Sequence, residues 1–212
     1  MNHLIIVGAG GLGREVLQYA REAFAGQYEI KGFLDDNPKE LEQRGYDLGV
    51  SILGGTQTYY PDKNDHFLVA IGDPKLRQKL VERLSERGAQ FATLVHPRAY
   101  IAPSAKIAAG CIISPFATVA TFTKLEPHVV LGFYAHVGHD SHVGIYGVLS
   151  PYAAINGGVM LEKRVFLGTH ATVTPGLTIG EDVQIAAGSV VYQNVPSHRL
   201  VVGNPGKIGP KF

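Results

Sequence analysis

Two groups of residues in this 212-residue chain have types and spacings that can do chemistry. The first is His139 followed directly by Asp140, within Val137-Gly138-His139-Asp140-Ser141-His142. A carboxylate beside an imidazole raises its basicity. Such a pair can take a proton from a reacting group. The second is Gly8-Ala9-Gly10-Gly11-Leu12-Gly13, a G-x-G-x-x-G pattern, with Asp35 and Asp36 about 20 residues further on. Glycines there let backbone N–H groups approach a phosphate at a helix N-terminus, and an acidic residue accepts hydrogen bonds from a ribose or base. Each group has a plainer reading: a solvated turn histidine in the first, a tight turn in the second. The chemical readings hold only if the surrounding elements place the residues correctly.

The elements around His139 are set by a period of six. From Ile101 to Val191 every sixth residue is aliphatic, sixteen times without an insertion, through Ile113, Leu125, Val137, Leu149, Leu161, Val173 and Ile185. Neither a 3.6-residue helix nor a two-residue strand alternation makes this period; a hexapeptide-repeat β-solenoid does. At three hexads per coil the run gives about five coils. Residues 18 apart then stack, one strand spacing of about 4.8 Å from each other. His139 falls at a turn between strands, with Gly157 stacked on it beside Gly158, and two glycines there predict an open groove next to the imidazole. Cys111 falls on an inward position and reads as a small core residue. The tail from Ser197 breaks the period and is expected to cap the open end.

The elements around the glycine loop alternate between strand and helix. Leu4 to Val7 reads as a buried strand, and a helix is expected from about Arg14, including Val16, Leu17 and Ala20. Strands follow at Tyr28–Leu34, Phe67–Ile71 and Phe91–Val95, and residues 39–64 read as irregular with a short strand near Ile52. Lys75 to Arg87 reads as an amphipathic helix with Leu76, Leu80 and Leu84 on one face. This is a small parallel α/β unit over residues 1–95, followed by the solenoid and its cap over residues 96–212. The loop therefore stands between a strand and a helix, where a phosphate site belongs. NAD is the obvious ligand for such a loop. A unit of about 95 residues, roughly half a dinucleotide fold, with no hydride-transfer domain after it, suits a mononucleotide-linked sugar better.

Taken together, V-G-A-G-G-L-G-R-E, D-D-N, A-I-G-D, V-H-P and a β-helix carrying G-H-D resemble the bacterial nucleotide-sugar acetyltransferases of the hexapeptide-repeat superfamily. These include N-acetyltransferases of UDP- or dTDP-linked 4-amino-6-deoxy sugars and the related sialic acid O-acetyltransferases. The resemblance covers residues 1–207. It implies a small Rossmann-like domain that holds the nucleotide-sugar and a left-handed parallel β-helix that holds acetyl-CoA between the subunits of a homotrimer. It places the catalytic histidine on His139 and its acidic partner on Asp140, where family members often have Glu. It places the phosphate loop on Gly10, Gly11 and Leu12, the base- or ribose-binding acids on Asp35 and Asp36, and a nearby backbone contact on Gly72. Acetyl-CoA contacts fall on Val148, Gly157, Thr169 and Ala187.

The implied reaction is transfer of acetyl from acetyl-CoA to a sugar amine by direct attack. His139 is the expected base and a backbone N–H near Gly157 the expected oxyanion donor. Cys111, facing the core, does not suit an acyl-enzyme route. O-acetylation of a sialic acid or related sugar is the alternative; an NAD-binding or purely structural solenoid protein belongs to another class. No metal is expected: His136, His139 and His142 are three apart, and in a β-helix that spacing separates them around the coil. A net charge of +1 points to neither nucleic acid nor membrane surface. A single cysteine and the lack of an apolar leader or span suggest a reducing cytoplasm.

Overall fold

The computed structural model describes residues 1–43 and 45–210 and divides the chain into two compact units, Met1–Leu94 and Val95–Phe212. Residues 211 and 212, the end of the expected cap, lie outside the described residues.

In the first unit β1 (Asn2–Val7), β2 (Tyr28–Leu34), β3 (Ile52–Gly54), β4 (Asp65–Val69) and β5 (Gln90–Phe91) form a parallel sheet in the order β3-β2-β1-β4-β5. The helices are α1 (Gly11–Ala23), α2 (Glu40–Gln43) and α3 (Pro74–Ser85). Leu4, Ile5, Ile6 and Val7 are all fully buried, the signature of a parallel strand covered on both faces. Strand order reverses direction at β1, and ligands of open parallel sheets bind at the carboxyl ends of the strands at such a point. α1 starts at Gly11 rather than near Arg14, because the glycine loop itself enters the helix with Gly10 as its N-cap. α3 is capped by the Asp73 carboxylate, which accepts from the Leu76 N–H at 2.7 Å, with Pro74 in its first turn. Leu80 and Leu84 are buried as expected, but Leu76 is 46% exposed. It sits in that first turn, at the rim of a cleft instead of in the core. The expected strand Phe91–Val95 divides into Gln90–Phe91 and Leu94–Val95.

In the second unit two-residue strands stack in parallel into three sheets, one of which the tail extends with longer strands. One of six strands runs from Tyr100–Ile101 to Val190–Val191, and one of five from Lys106–Ile107 to Thr178–Ile179. The third, of eight strands, starts at Leu94–Val95, where the units join. Register is constant at 18 residues: Thr118 pairs with His136 and His136 with Ala154, Lys124 with His142 and His142 with Met160, Val130 with Val148 and Val148 with Phe166. The second residue of each strand faces the core; Ile113, Val119, Leu125, Leu131, Val137, Val143 and Leu149 are all fully buried. Cys111 is buried with them, and its thiol donates to the Glu126 carbonyl at 3.2 Å. At the open end the tail adds strands to a single sheet: Arg199–Val202 pairs with Gln184–Ile185, and Lys207–Pro210 returns antiparallel.

The corners between sheets are tight. Residues as bulky as Phe116, Tyr134, Asp140, Tyr152 and His170 have φ of 55–61° there. The left-handed region costs a non-glycine residue roughly 1–2 kcal/mol. Each N–H is nevertheless satisfied by the coil before, as Asp140 N–H is by Thr121 O at 3.0 Å and Tyr152 N–H by Phe133 O at 2.8 Å. No helix among the described residues is long and apolar enough to cross a membrane.

The inward position of Leu149 can be tested against an outward one. Leu149→Ala should lower unfolding free energy by about 2–5 kcal/mol, measured by urea denaturation. Thr178→Ala, on the exposed face of the last strand of the five-stranded sheet, should change it by about 0.5 kcal/mol or less. Equal losses would contradict the inward assignment.

Candidate active site

The His139 corner is assembled by backbone first. Gly138 can be nothing larger, since a Cβ there would lie 2.5–2.6 Å from the Asn156–Gly157 peptide. Its carbonyl accepts from Thr123 Oγ1 at 3.0 Å. Ser141 Oγ donates to the Asn156 carbonyl at 2.9 Å and accepts from the Val159 N–H at 3.1 Å. The Gly158 N–H donates to the His139 carbonyl at 2.8 Å. Two coils are thereby stitched on both sides of the histidine, and the imidazole is carried on a fixed peptide.

The side chains then set its chemistry. His139 Nδ1 lies 2.8 Å from Asp140 Oδ2. The carboxylate can only accept, so Nδ1 carries the hydrogen and Nε2 is the open acceptor. Both side chains are about two-thirds exposed, at 66% and 62%. Water screens their mutual charge, and the main effect of Asp140 is to fix tautomer and orientation. The ring lies directly across Gly157: a Cβ there would come within 2.5 Å of Nε2 and Cε1. This corrects the expected open groove beside Gly157, because the imidazole itself fills that space. The open surface lies further along, where Gly158 would meet only Gly176 backbone at 3.8 Å and Gly176 would meet nothing within 4 Å. The Gly157 N–H bonds to no acceptor among the described residues.

The neighbouring histidines do other work. His136 Nδ1 is 2.7 Å from Thr118 Oγ1, and burial lowers its pKa. His142 Nε2 is 3.4 Å from Glu126. Glu181, Asp182 and His198 are the one group with metal-ligand spacing among the described residues. Lys163 and Arg164 are already paired to its carboxylates, Arg164 Nη2 at 2.7 Å from Asp182 and 2.9 Å from Glu181.

The four expected acetyl-CoA contacts do not gather in one chain. Gly157 is at the His139 corner. Thr169 and Ala187 stack on each other at a different corner, between the eight- and six-stranded sheets. Val148 lies on the eight-stranded sheet and is only 4% exposed, which leaves its side chain little to offer a ligand.

The glycine loop makes the other site. Gly13 packs so closely on the Gly8 carbonyl that no side chain fits, and Gly8 has φ +98°. Gly10 and Gly11 instead face open space, as does Gly72 after β4. With Leu12 they present the first N–H groups of α1, which have no partner within the helix. A cleft of about 230 Å³ lies beside them, lined by Gly8, Asp35, Asp36, Thr56, Ile71 and Leu76 among others. Asp35 accepts from the Ala9 N–H and the Asn37 N–H, both at 2.8 Å, so it ties the loop to the end of β2. Asp36 accepts from Thr56 N–H at 2.7 Å and Thr56 Oγ1 at 2.9 Å, and Arg83 donates to the same hydroxyl at 2.8 Å. Sequence reasoning passed over Arg14. Its guanidinium donates to the Ala9 carbonyl at 3.0 Å and lies 4.8 Å from the Tyr46 ring centroid. Its place one residue after G-x-G-x-x-G, on the first turns of a phosphate-facing helix, was the available signal.

Residues 3–84 match the PglD N-terminal domain. The chain is 31% identical to the GDP-perosamine N-acetyltransferase of Escherichia coli O157:H7, over 98% of this chain and 96% of that protein. Among solved structures it resembles PerB from Caulobacter crescentus in complex with CoA and GDP-perosamine, at TM-score 0.86 and 29% identity over 99% and 98% of the two chains. It also resembles the acetyltransferase domain of PglB from Neisseria gonorrhoeae in complex with acetyl coenzyme A, at TM-score 0.89 and 29% identity over 98% and 100%.

The stacking of His139 on Gly157 predicts a spectroscopic outcome. Gly157→Ala should push the ring away from Asp140 and return His139 toward the mixed tautomers of free imidazole. Histidine ¹⁵N shifts report this directly. An unchanged Nδ1–H tautomer in a folded Gly157→Ala protein would refute the contact.

Proposed function

The chain belongs to the hexapeptide-repeat nucleotide-sugar N-acetyltransferases, and on that premise we propose that it acetylates the amine of a GDP-linked 4-amino-6-deoxy sugar with His139 as general base. It is an acetyl-CoA-dependent transferase acting on a nucleotide amino sugar. The expectation of a UDP- or dTDP-linked sugar gives way to guanosine, since two relatives that match over nearly their whole length, the Escherichia coli O157:H7 enzyme and PerB, act on or bind GDP-perosamine. N-acetylation is favoured over O-acetylation on the same ground.

The observation that carries the mechanism is the free Nε2 of His139 beside the unpaired Gly157 N–H. The neutral sugar amine attacks the thioester carbonyl carbon. Nε2 takes the proton that the nitrogen loses and gives it to the sulfur as the carbon–sulfur bond breaks. The Gly157 N–H is a suitable donor to the oxygen that becomes negative on the way. No covalent enzyme intermediate is needed. In the first unit, the N–H groups at Gly10–Leu12 suit the diphosphate, and Gly72 offers backbone at the same end of the sheet. Arg14 adds a cation there. Asp36, exposed at the cleft, is the better placed acid for ribose or base, while Asp35 holds the loop.

The homotrimer belongs to the same proposal. Gly157 and the Thr169–Ala187 step lie at different corners of one β-helix. An acetyl-CoA molecule that uses both would lie between neighbouring copies, with His139 from one and Thr169 and Ala187 from the next. Val148, being buried, is dropped from the contacts.

His139→Ala should lower kcat by roughly 10²–10⁴-fold and leave KM for both substrates nearly unchanged. Asp140→Asn should cost less, because it loosens orientation only. Near-normal turnover in His139→Ala would remove it as the base. Thermal-shift titration should show GDP-linked amino sugars stabilising the protein more than UDP- or dTDP-linked ones at equal concentration, and the reverse order would reject the guanosine reading. Asp36→Ala should raise KM for the nucleotide-sugar and not for acetyl-CoA.

A further inference from the structure

Three Asp, Glu, Lys or Arg residues are almost fully buried among the described residues: Asp65 at 1% exposed, Arg77 at 1% and Asp182 at 4%. Asp65, at the start of β4, meets Lys31 Nζ at 3.0 Å and accepts from the Tyr59 hydroxyl at 2.7 Å. Asp182 meets Arg164 Nη2 at 2.7 Å. Arg77 stands at the other end of β4, as the fourth residue of α3. Its Nη1 donates to the Ile71 carbonyl at 2.5 Å. Taking a guanidinium out of water is costly. A leucine would cover the same inward face of α3 without that cost, as Leu80 and Leu84 do.

The carbonyl that Arg77 holds belongs to the turn after β4. β4 ends at Val69 and α3 begins at Pro74, so neither element fixes the Ile71 peptide. The Ile71 side chain lines the cleft of the first unit. It also presses on the glycine loop: a Cβ on Gly8 would lie 2.7 Å from Ile71 Cδ1 and 3.1 Å from the Ala70 carbonyl oxygen. The backbone beside this contact is tied to both neighbouring strands. The Gly8 N–H donates to the Leu34 carbonyl at 2.7 Å and the Ala70 N–H to the Val7 carbonyl at 2.9 Å. Gly13 packs in turn on the Gly8 carbonyl. A chain of contacts therefore runs from a buried guanidinium through Ile71 and Gly8 to the first turn of α1.

We propose that Arg77 is a positioning residue for the nucleotide-sugar. Its fork fixes the Ile71 peptide, Ile71 backs Gly8, and the glycine loop keeps the shape in which its N–H groups face the diphosphate. This rests on the reading of the first unit as the nucleotide-sugar site. A guanidinium suits the task because its planar donors set a direction as well as a distance. The role of Arg77 is exerted through Ile71, and a peptide held against rotation is what it supplies.

Titration calorimetry with GDP on the full-length protein tests this. Arg77→Met keeps the stem and removes the fork. It should weaken GDP binding on the order of tenfold and leave acetyl-CoA binding unchanged. In the assay it should raise KM for the nucleotide-sugar and leave kcat nearly alone. Leu84→Ala, a buried change on the same helix outside the cleft lining, controls for stability. It should lower the melting temperature and leave GDP affinity where it was. Ile71→Ala should weaken GDP binding too, and adding Arg77→Met to it should cost little more, since both act through one contact. If Arg77→Met does not fold, Arg77→Lys, which keeps the charge without the planar fork, takes its place with the same expected loss. Unchanged GDP affinity in the Arg77 variant, an equal loss in Leu84→Ala, or additive losses in the double variant would overturn the proposal. A wild-type protein that binds none of GDP, UDP and dTDP would remove the nucleotide site and the role of Arg77 with it. GDP binding that depends on Arg77 in a protein that transfers no acetyl would sink the transferase reading and leave the Arg77 contact standing.

Discussion

Everything in the second unit depends on one constraint: a residue must sit directly over the residue 18 places before it. Parallel pairing of two-residue strands holds that register through the backbone, as in Thr118, His136, Ala154 and Thr172 along one face. The inward aliphatic of each strand makes any slip expensive, because a shift by one residue would turn the core outward. Once register is fixed, neighbours are no longer a matter of folding detail. His139 must lie on Gly157, and the rings of Phe116, Tyr134, Tyr152 and His170 must lie one on the next. A site built in this way is held rigidly without any loop to support it.

The two sites solve the problem of placing charge in different ways. The glycine loop uses backbone: open N–H groups at a helix start, shaped by Gly8 and Gly13 and tied by Asp35. It needs no charged side chain to be ionised at the right moment. The His139 corner uses a single side chain whose proton inventory is fixed by one hydrogen bond to Asp140. Being widely exposed, that pair depends on a bound substrate to exclude water and strengthen its electrostatics. The division suits the proposed reaction, in which one substrate is held by its phosphates at a distance from the amine that gives up a proton.

Much of this was legible in the sequence because it rests on periods. The six-residue repeat located the solenoid, its inward residues, Cys111 and the pairing of position 139 with position 157. The strand–glycine–helix order located the glycine loop at the start of α1. Side-chain direction was not legible. Two glycines near His139 read as an open groove, but the ring turns onto Gly157. Asp35 and Asp36 carry the right charge for a ribose, yet Asp35 is committed to two backbone N–H groups and Asp36 already accepts from Thr56. Leu76 fits a helix face by spacing and still lies exposed, since it stands in the first turn of α3 at the rim of the cleft. The αL corners were hidden for a different reason: local preference argues against Phe or Tyr at positive φ, and only the coil underneath makes it tolerable. The spacing of Phe116, Tyr134, Tyr152 and His170 was visible, but their conformation was not.

The C-terminal hairpin does not close the solenoid evenly. Arg199–Val202 extends the eight-stranded sheet, and the Val190 peptide is held by Gly203 and Gly206. The five-stranded sheet ends at Thr178–Ile179, and there the tail crosses it as single residues: the Thr178 N–H donates to Asn194 Oδ1 at 2.8 Å, the Val195 N–H to the Thr178 carbonyl at 3.1 Å, and the Gly180 N–H to the Val195 carbonyl at 2.8 Å. In a solenoid each coil is stabilised by its neighbours, and the outermost coil lacks one. Here the missing coil is replaced piecemeal, by a strand pair on one side and by isolated peptides on the others. Each of the three sheets thus ends on satisfied backbone without a full further turn being built.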